Sequence, residues 1–487
     1  MSGQMSFSSF HGGRSLQLIK DRMLQSDELP LAEVLDNNQW HEVFANHGID
    51  FGRTDDVVYT PAITLWALIS QAFFKGEMRS CKAAVARVTT LWATLGRTVC
   101  STNTGAYCRA RTKITWEAVR DICTQIAESA EAMFDCEAND DDHHEVVAEV
   151  LETSTVGRVL LVDGFTITAT DTPENQEEFP QNPSQKEGLG FPIVRGVSLI
   201  SMVTGLLFAL ELGPYAGKQS GETALLWRML DQLKSGDTLV ADSYYCTYWL
   251  VAACVKKGVR IVMKNHHKRD DDPSGATRLN KHERKTVWSK PDRPKWMNED
   301  EYKSLAEEVE IRLVDVTMDQ PGFRSKQFTV ATTIMDHKLY SRQWIACVYR
   351  SRWLVELDIR AIKCSLGMDV VRARTPGMVK TEIWSCLLAY NLIRLKMLQA
   401  AALAGRMPRT LSFTATMQTL ATVWIVGVII HSTELIDLTN QAAVSERVAK
   451  RPGRVEPRAN KRRPKLIALM TKPRHQAKQD LIEAAAA

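Results

Sequence analysis

Residues 158–167 read RVLLVDGFTI, a run of Val and Leu that stops at Asp163 and Gly164. Its length and β-branched content predict a buried strand, with Asp163 at the carboxyl end where a sheet presents side chains to an open edge. Working outward, PIVRGVSLISMVTG and LLFALEL follow as two more short apolar runs broken by Gly and Pro. Three such runs in succession predict an antiparallel meander. GETALLWRMLDQLKSG then reads as helix, DTLVADSYY as strand, TYWLVAACVKKG as helix and VRIVMK as strand. A meander followed by alternating helix and strand predicts an α/β fold: a mixed sheet with helices packed on it.

The pattern breaks between about 265 and 336 into the polar NHHKRDDDPSGATRLNKHERK, followed by EVEIRLVDVTMD and KQFTVATTIMD flanking QPGFRSK. The last two predict a hairpin, so this segment reads as a β-rich insertion. Residues 337–400 return to helix, and 401–487 read as a last helical region with a basic tail. Upstream, YTPAITLWALISQAFFKGE predicts a helix with Thr60 as N-cap and Pro61 at the first helical position. SCKAAVARVTTLWATLG repeats the device between Ser80 and Gly96, and STNTGAYCRARTKITWEAVRDICTQIAESAEAMF predicts a basic turn leading into a long amphipathic helix. Residues 1–150 thus form a helical unit, separated from a core at 156–264 by the acidic run CEANDDDHHEVVAE, which is too charged to pack. Asp140, Asp142, His143 and His144 in that run fit a solvated linker better than a metal site. Arg109, Arg111 and Lys113 either meet phosphates or keep the surface soluble.

The chain has 487 residues, 45% hydrophobic and 24% charged, as in a folded multidomain protein. Ten cysteines without a CxxC pair exclude a disulfide framework and a structural zinc site, and predict reduced core residues such as Cys386. The start lacks the apolar stretch of a secretory signal, and LATVWIVGVII at 420–430 is shorter than the roughly 20 residues that span a bilayer. A cytoplasmic protein without a membrane partner is expected. Between Lys450 and Arg474 lie ten Lys or Arg against one acid, a net +9, which leaves about −5 for the rest of a chain whose total is +4. Such a block suits either a polyanion or solvent.

Asp242 closes TLVAD as Asp163 closes RVLLVD. Neighbouring strands lie roughly 5 Å apart, so both carboxylates could reach one cation. Residues 349–363, YRSRWLVELDIRAIK, supply the third wall. Read as one helix, they put Tyr349, Glu356 and Lys363 on one face with Arg352 between them, because a step of seven returns within roughly 20°. Val355, Ile359, Ile362 and Leu366 form the apolar stripe that would press this helix on the sheet. Three converging carboxylates need a divalent ion, and all-oxygen ligation is the Mg²⁺ or Mn²⁺ pattern. Two such ions about 4 Å apart can activate a water or a 3′-hydroxyl and stabilise the leaving oxygen of a phosphodiester. Arg352 can then fork a phosphate, Lys363 add a point charge and Tyr349 donate a hydrogen bond. Trp353 either stacks on an unpaired base or packs in the core.

At these residues the chain resembles the bacterial DDE transposases of the insertion-sequence-4 group, whose helix signature Y-x2-R-x3-E-x6-K is met by Tyr349, Arg352, Glu356 and Lys363. Asp163 in VDGF and Asp242 in ADSYY look like the first and second acids, 79 residues apart and then 114 from the glutamate. STNTGAYCRAR, ELDIRAIKCSLGMDVVRARTP, EIWSCLLAYNLIR and GRVEPRANKRRPK are also similar to that group. The resemblance implies a ribonuclease-H-like core interrupted by a β-rich insertion before the glutamate helix, and Asp163, Asp242 and Glu356 as catalytic residues and metal ligands. It further implies cut-and-paste transposition: an amino-terminal domain on terminal inverted repeats, metal-dependent nicking, a hairpin, 3′-OH attack on target double-stranded DNA, and a homodimeric synaptic complex. Two readings stand beside it, a host nuclease that only hydrolyses and a DNA-binding protein without chemistry.

Overall fold

A computed structural model describes residues 37–51, 57–94, 100–133, 157–266, 276–318, 326–427, 440–441, 443–445 and 471–486. The acidic run at 136–149 and nearly all of the basic block between Lys450 and Arg474 lie outside them, as does Gly96.

Nine strands among the described residues form one mixed sheet in the order β3-β2-β1-β4-β5-β9-β8-β7-β6. Strands β1 (Val159–Thr168), β2 (Ile193–Ser201) and β3 (Leu207–Pro214) make the antiparallel meander. β4 (Thr238–Ala241) then pairs parallel with β1, and β5 (Arg260–Lys264) parallel with β4. The order 3-2-1-4-5 with this mixture of directions is the ribonuclease-H-like core. Its middle is apolar throughout, since Leu160, Leu161, Leu199, Leu239, Val240 and Val262 are buried on a sheet covered on both faces.

The insertion does not stand apart from this sheet. β8 (Glu308–Met318) and β9 (Lys326–Thr332) form the hairpin expected around QPGFRSK, and β9 pairs antiparallel with β5, so the sheet simply continues. Two further strands, β6 (Thr277–Asn280) and β7 (Glu283–Ser289), come from the segment read only as polar. They are largely exposed or half-buried, with β6 at the sheet edge and Arg278, Arg284 and Lys285 among them, so no apolar alternation announces them. A short helix at Pro173–Glu178, capped by Thr172, was likewise not expected from the sequence.

Helices at Asn37–Asn46, Pro61–Phe73, Cys81–Thr94, Gly105–Arg111 and Trp116–Met133 build the described part of the amino-terminal unit. Thr60 Oγ1 accepts the Ile63 N–H with Pro61 in the first turn, and Ser80 Oγ accepts the Ala83 N–H, as their capping chemistry predicts. The basic turn is in part helix, because Arg109 and Arg111 fall on Gly105–Arg111. One helix among the described residues, Pro376–Leu403, is long and apolar enough to cross a membrane, but 89% of its apolar window is buried inside the protein. It packs against the amino-terminal helices Trp116–Met133 and Pro61–Phe73, as the central post of the molecule. Burial of the cysteines is less general than their residue type suggests. Of the nine described, Cys123, Cys246, Cys254 and Cys386 are buried, Cys364 is exposed and the other four are half-buried; all nine are free thiols.

Candidate active site

Asp163 does not end its strand. β1 runs on to Thr168 against β2, whereas its pairing with β4 stops at Leu161 opposite Val240. Asp163 therefore lies where β4 leaves the sheet, which opens the edge in mid-strand. Asp242 follows the last residue of β4, and continuing the Leu161–Val240 register by two places sets it beside Asp163. Its Oδ1 accepts the Tyr244 N–H at 2.8 Å, an Asx turn that lifts the chain away from the sheet.

The third wall is not one continuous helix. It is built from α-helices Arg342–Ser351 and Trp353–Arg360, joined at Arg352, and a π-helical turn at Ala361–Ser365. The expected apolar stripe holds it down: Val355, Ile362 and Leu366 are buried, and Ile359 packs against the core. Arg352, at the junction, donates to Glu356 Oε1 at 2.6 Å and lies 3.7 Å from Asp163 Oδ2. The Tyr349 ring packs on Phe328 of β9 at 5.2 Å between centroids, and its side chain lies near the Arg352 guanidinium. Tyr349 is thus buried behind the arginine and not presented to solvent. Lys363 falls in the π turn, where the seven-residue step no longer holds, and its side chain meets no partner among the described residues. Trp353 is 44% exposed, which removes the core-packing reading. Arg109 and Lys113 are exposed, with Lys113 over the Phe51 ring, while Arg111 is half-buried and donates to Cys81 Sγ.

The electrostatics mark the same residues. Burial pushes the Asp163 carboxyl up to about 6, and Asp242 and Glu356 add to the rise, while the Gly164 N–H and Arg352 oppose it. Burial raises Tyr349 to about 12. Burial works against the charge on Arg352, but its bond to Glu356 and the neighbouring Tyr349 and Asp163 more than restore it.

Two features escaped the sequence reading. Glu222, in the first turn of helix Glu222–Arg228, receives the Tyr245 hydroxyl at 3.0 Å and packs directly on Gly164, where a Cβ would stand 2.3 Å from the Glu222 carboxyl carbon. The glycine after the first acid is therefore a space requirement. Beside it, a cleft between core and insertion is lined by Trp227, Trp249 and Trp296 with Arg228 and Glu301. Glutamate at the start of a helix is too common a signal to single out.

Whether these residues suit a divalent ion can be judged from the donor set. Asp163, Asp242 and Glu356 offer hard oxygen donors only, the type that suits a divalent ion such as Mg²⁺. Among the described residues, no three His, Cys, Asp or Glu groups are drawn close enough to enclose an ion, and Arg352 stands between Asp163 and Glu356. The donor type suits a divalent ion, while the carboxylates as placed do not enclose one.

The sheet thus carries Asp163 on β1 and Asp242 just past β4, with Glu356 on a helix packed against β1. Residues 154–392 match the transposase DDE domain family. The chain is 27% identical over 260 residues to transposase InsG of insertion sequence element IS4 from Escherichia coli (strain K12), a match that spans 52% of this chain and 56% of that one. A cryo-EM structure of the piggyBac transposase synaptic complex with hairpin DNA aligns over 87% of this chain and 84% of its own, at 10% identity and a TM-score of 0.40. Over these residues the chain is similar to the transposase DDE domain and to a transposase of the insertion-sequence-4 element, and the match spans little more than half the length of that relative.

Proposed function

We propose that the protein is a cut-and-paste DNA transposase that cleaves at the ends of its element and transfers the 3′-OH strands into target DNA inside the cell. The observation that supports this reading is that Arg352 bridges Glu356 and Asp163 where β4 leaves β1, with Asp242 next in register. In this reading Asp163, Asp242 and Glu356 hold Mg²⁺ or Mn²⁺, two ions in all. Bound there, the metal supplies a nucleophile at neutral pH and offsets the charge on the leaving oxygen. Arg352 exchanges its carboxylate partners for a non-bridging phosphate oxygen, to which Tyr349 donates a hydrogen bond. Lys363, unpaired among the described residues, adds a second positive charge to the phosphate.

The division of the chain supports the same reading. Residues 1–150 would bind the terminal inverted repeats, with Arg109, Arg111 and Lys113 on phosphates. Residues 156–264 and 337–400 would form the catalytic core, 265–336 the insertion and 401–487 a carboxyl-terminal region. Trp353 and the tryptophan-lined cleft suit unpaired bases, as a hairpin intermediate requires. The assembly on DNA would be a homodimer that joins two ends.

The test is incubation of the protein and its Glu356→Gln variant with a labelled duplex carrying the element's own end, with Mg²⁺ or EDTA. A site-specific nick, then a hairpin, from wild type with metal alone is the expected result. Equal cutting by both proteins overturns the reading.

A further inference from the structure

The helix that carries Glu356 ends in the π turn Ala361–Ser365, after which Gly367 adopts a left-handed φ of 68°. A helix carboxyl end leaves carbonyls without partners and gathers negative potential. Here cations from a sequence-distant unit meet them. Lys75 Nζ donates to Cys364 O at 2.7 Å, and Arg79 Nη1 donates to Gly367 O at 2.6 Å and Leu366 O at 3.2 Å. Arg79 closes the 3-10 turn Gly76–Arg79 of the amino-terminal unit and is 7% exposed. Its own carbonyl accepts Gln71 Nε2, and Gln71 Oε1 in turn accepts the Tyr107 hydroxyl. Arg79 also lies 3.8 Å from Glu382, whose other oxygen accepts the backbone N–H groups of Arg372 and Ala373. The fit at Gly367 is close, because a Cβ there would stand 3.2 Å from Arg79 Nη1.

A π turn is a local register that an α-helix readily sheds, and shedding it rotates the downstream residues by roughly 100° about the axis. Whatever holds Leu366 and Gly367 therefore sets the direction of Lys363 and the seating of the Glu356 helix. We infer that Arg79, supported by Lys75, is a positioning residue for the acid site: it pins the π turn and links the amino-terminal helical unit to the catalytic helix. The inference rests on the transposase reading for its effect on cleavage, but not for its effect on the turn.

The experiment uses full-length wild type, Arg79→Ala, Arg79→Lys and Lys75→Ala. Its readouts are thermal melting, binding to the element's end, cleavage as a function of Mg²⁺, and amide exchange across 361–370. Arg79→Ala is expected to bind DNA as wild type does and to lose exchange protection over 361–368. Its cleavage should fall by about 10- to 100-fold with a raised Mg²⁺ requirement, the range seen when a residue supporting a metal ligand is removed. Arg79→Lys should recover part of each loss, and Lys75→Ala should show a smaller one. Unchanged cleavage or Mg²⁺ requirement in folded Arg79→Ala overturns the inference. So does a parallel fall in binding and cleavage with exchange unaltered, the mark of a residue that touches DNA. If Arg79→Ala does not fold, unaltered exchange and cleavage in both Arg79→Lys and Lys75→Ala overturn it. Wild type that never cuts removes the transposase reading alone, since the exchange readout still reports on the turn.

Discussion

Two carboxylates sit two residues apart on helix Trp353–Arg360 and live in opposite surroundings. Glu356 faces the open sheet edge with its side chain 33% exposed and one arginine partner. Asp358 is fully buried, and its carboxylate accepts Arg394 through one oxygen and Arg409 through both. Arg409 reaches further, to the carbonyls of Met202 and Ser201 at the β2–β3 turn. The same turn is tied to the amino-terminal unit, because the Ser201 and Thr204 hydroxyls donate to Glu131, whose carboxyl pKa burial raises. Asp358 is thus saturated with donors and locked, whereas Glu356 retains coordination capacity. Two positions along one helix separate a carboxylate that exchanges its partner from one that holds the fold.

The contrast breaks first at Asp358. Asp358→Ala strands two buried guanidinium groups, and loss of one partner in such a network costs about 3 to 5 kcal/mol. Denaturant unfolding should show this as a large fall in midpoint; a change within that of a surface substitution would mean that the network is dispensable. Glu356→Gln should do the reverse. Cleavage of an element-end duplex should drop at least about a thousandfold, ~4 kcal/mol at 1.36 kcal/mol per decade. Its melting should shift little, as for a partly exposed group, by about 0.5 kcal/mol or less.

Asp163 lies between these extremes, and its pH dependence sharpens the contrast. Its carboxyl is raised from 3.8 to about 6, so the folded state binds this proton more tightly than the unfolded chain does. Without metal, the stability that protonation adds is present below about pH 4 and is lost as pH climbs through 6. Asp163→Asn should therefore stabilise the metal-free protein at pH 7.5, by on the order of 1 kcal/mol after solvent screening of a partly exposed group. The same substitution should do little at pH 4. Mg²⁺ should raise the wild-type melting temperature more at pH 7.5 than at pH 5, and that gain should vanish in Asp163→Asn. A wild-type shift independent of pH would remove Asp163 from the ion's ligands. The smallest effects belong to the exposed Arg109 and Lys113: each change to Ala should reduce the slope of log affinity against log salt by about 0.9 for every phosphate that the side chain neutralises. An unchanged slope would return them to the solvated surface.

Much of the local structure around the candidate residues was legible in the chain order. Runs of Val and Leu must be buried, so RVLLVD and TLVAD declared their strands, although Asp163 lies in mid-strand and only Asp242 follows a strand end. The four-residue spacing of Arg352 and Glu356 could only bring them together on a helix, and it does so at 2.6 Å. Thr60 and Ser80 announced their helices because a hydroxyl before an apolar run satisfies an otherwise unpaired N–H.

What the sequence could not decide are the properties that depend on distant segments. β6 and β7 carry too little apolar alternation to be seen, and they exist because β8 offers β7 an edge and β7 in turn offers one to β6. The break at Arg352 and the π turn at 361–365 alter the phase that a seven-residue step assumes, which is why Lys363 does not share the face of Glu356 in the simple way. Arg79 stands some 287 residues before the carbonyl it meets, and Arg394 lies 36 residues from Asp358. Local order along a chain is set by periodicity and capping. The partner of a buried charge is set by which elements pack against it, and only the folded protein makes that choice.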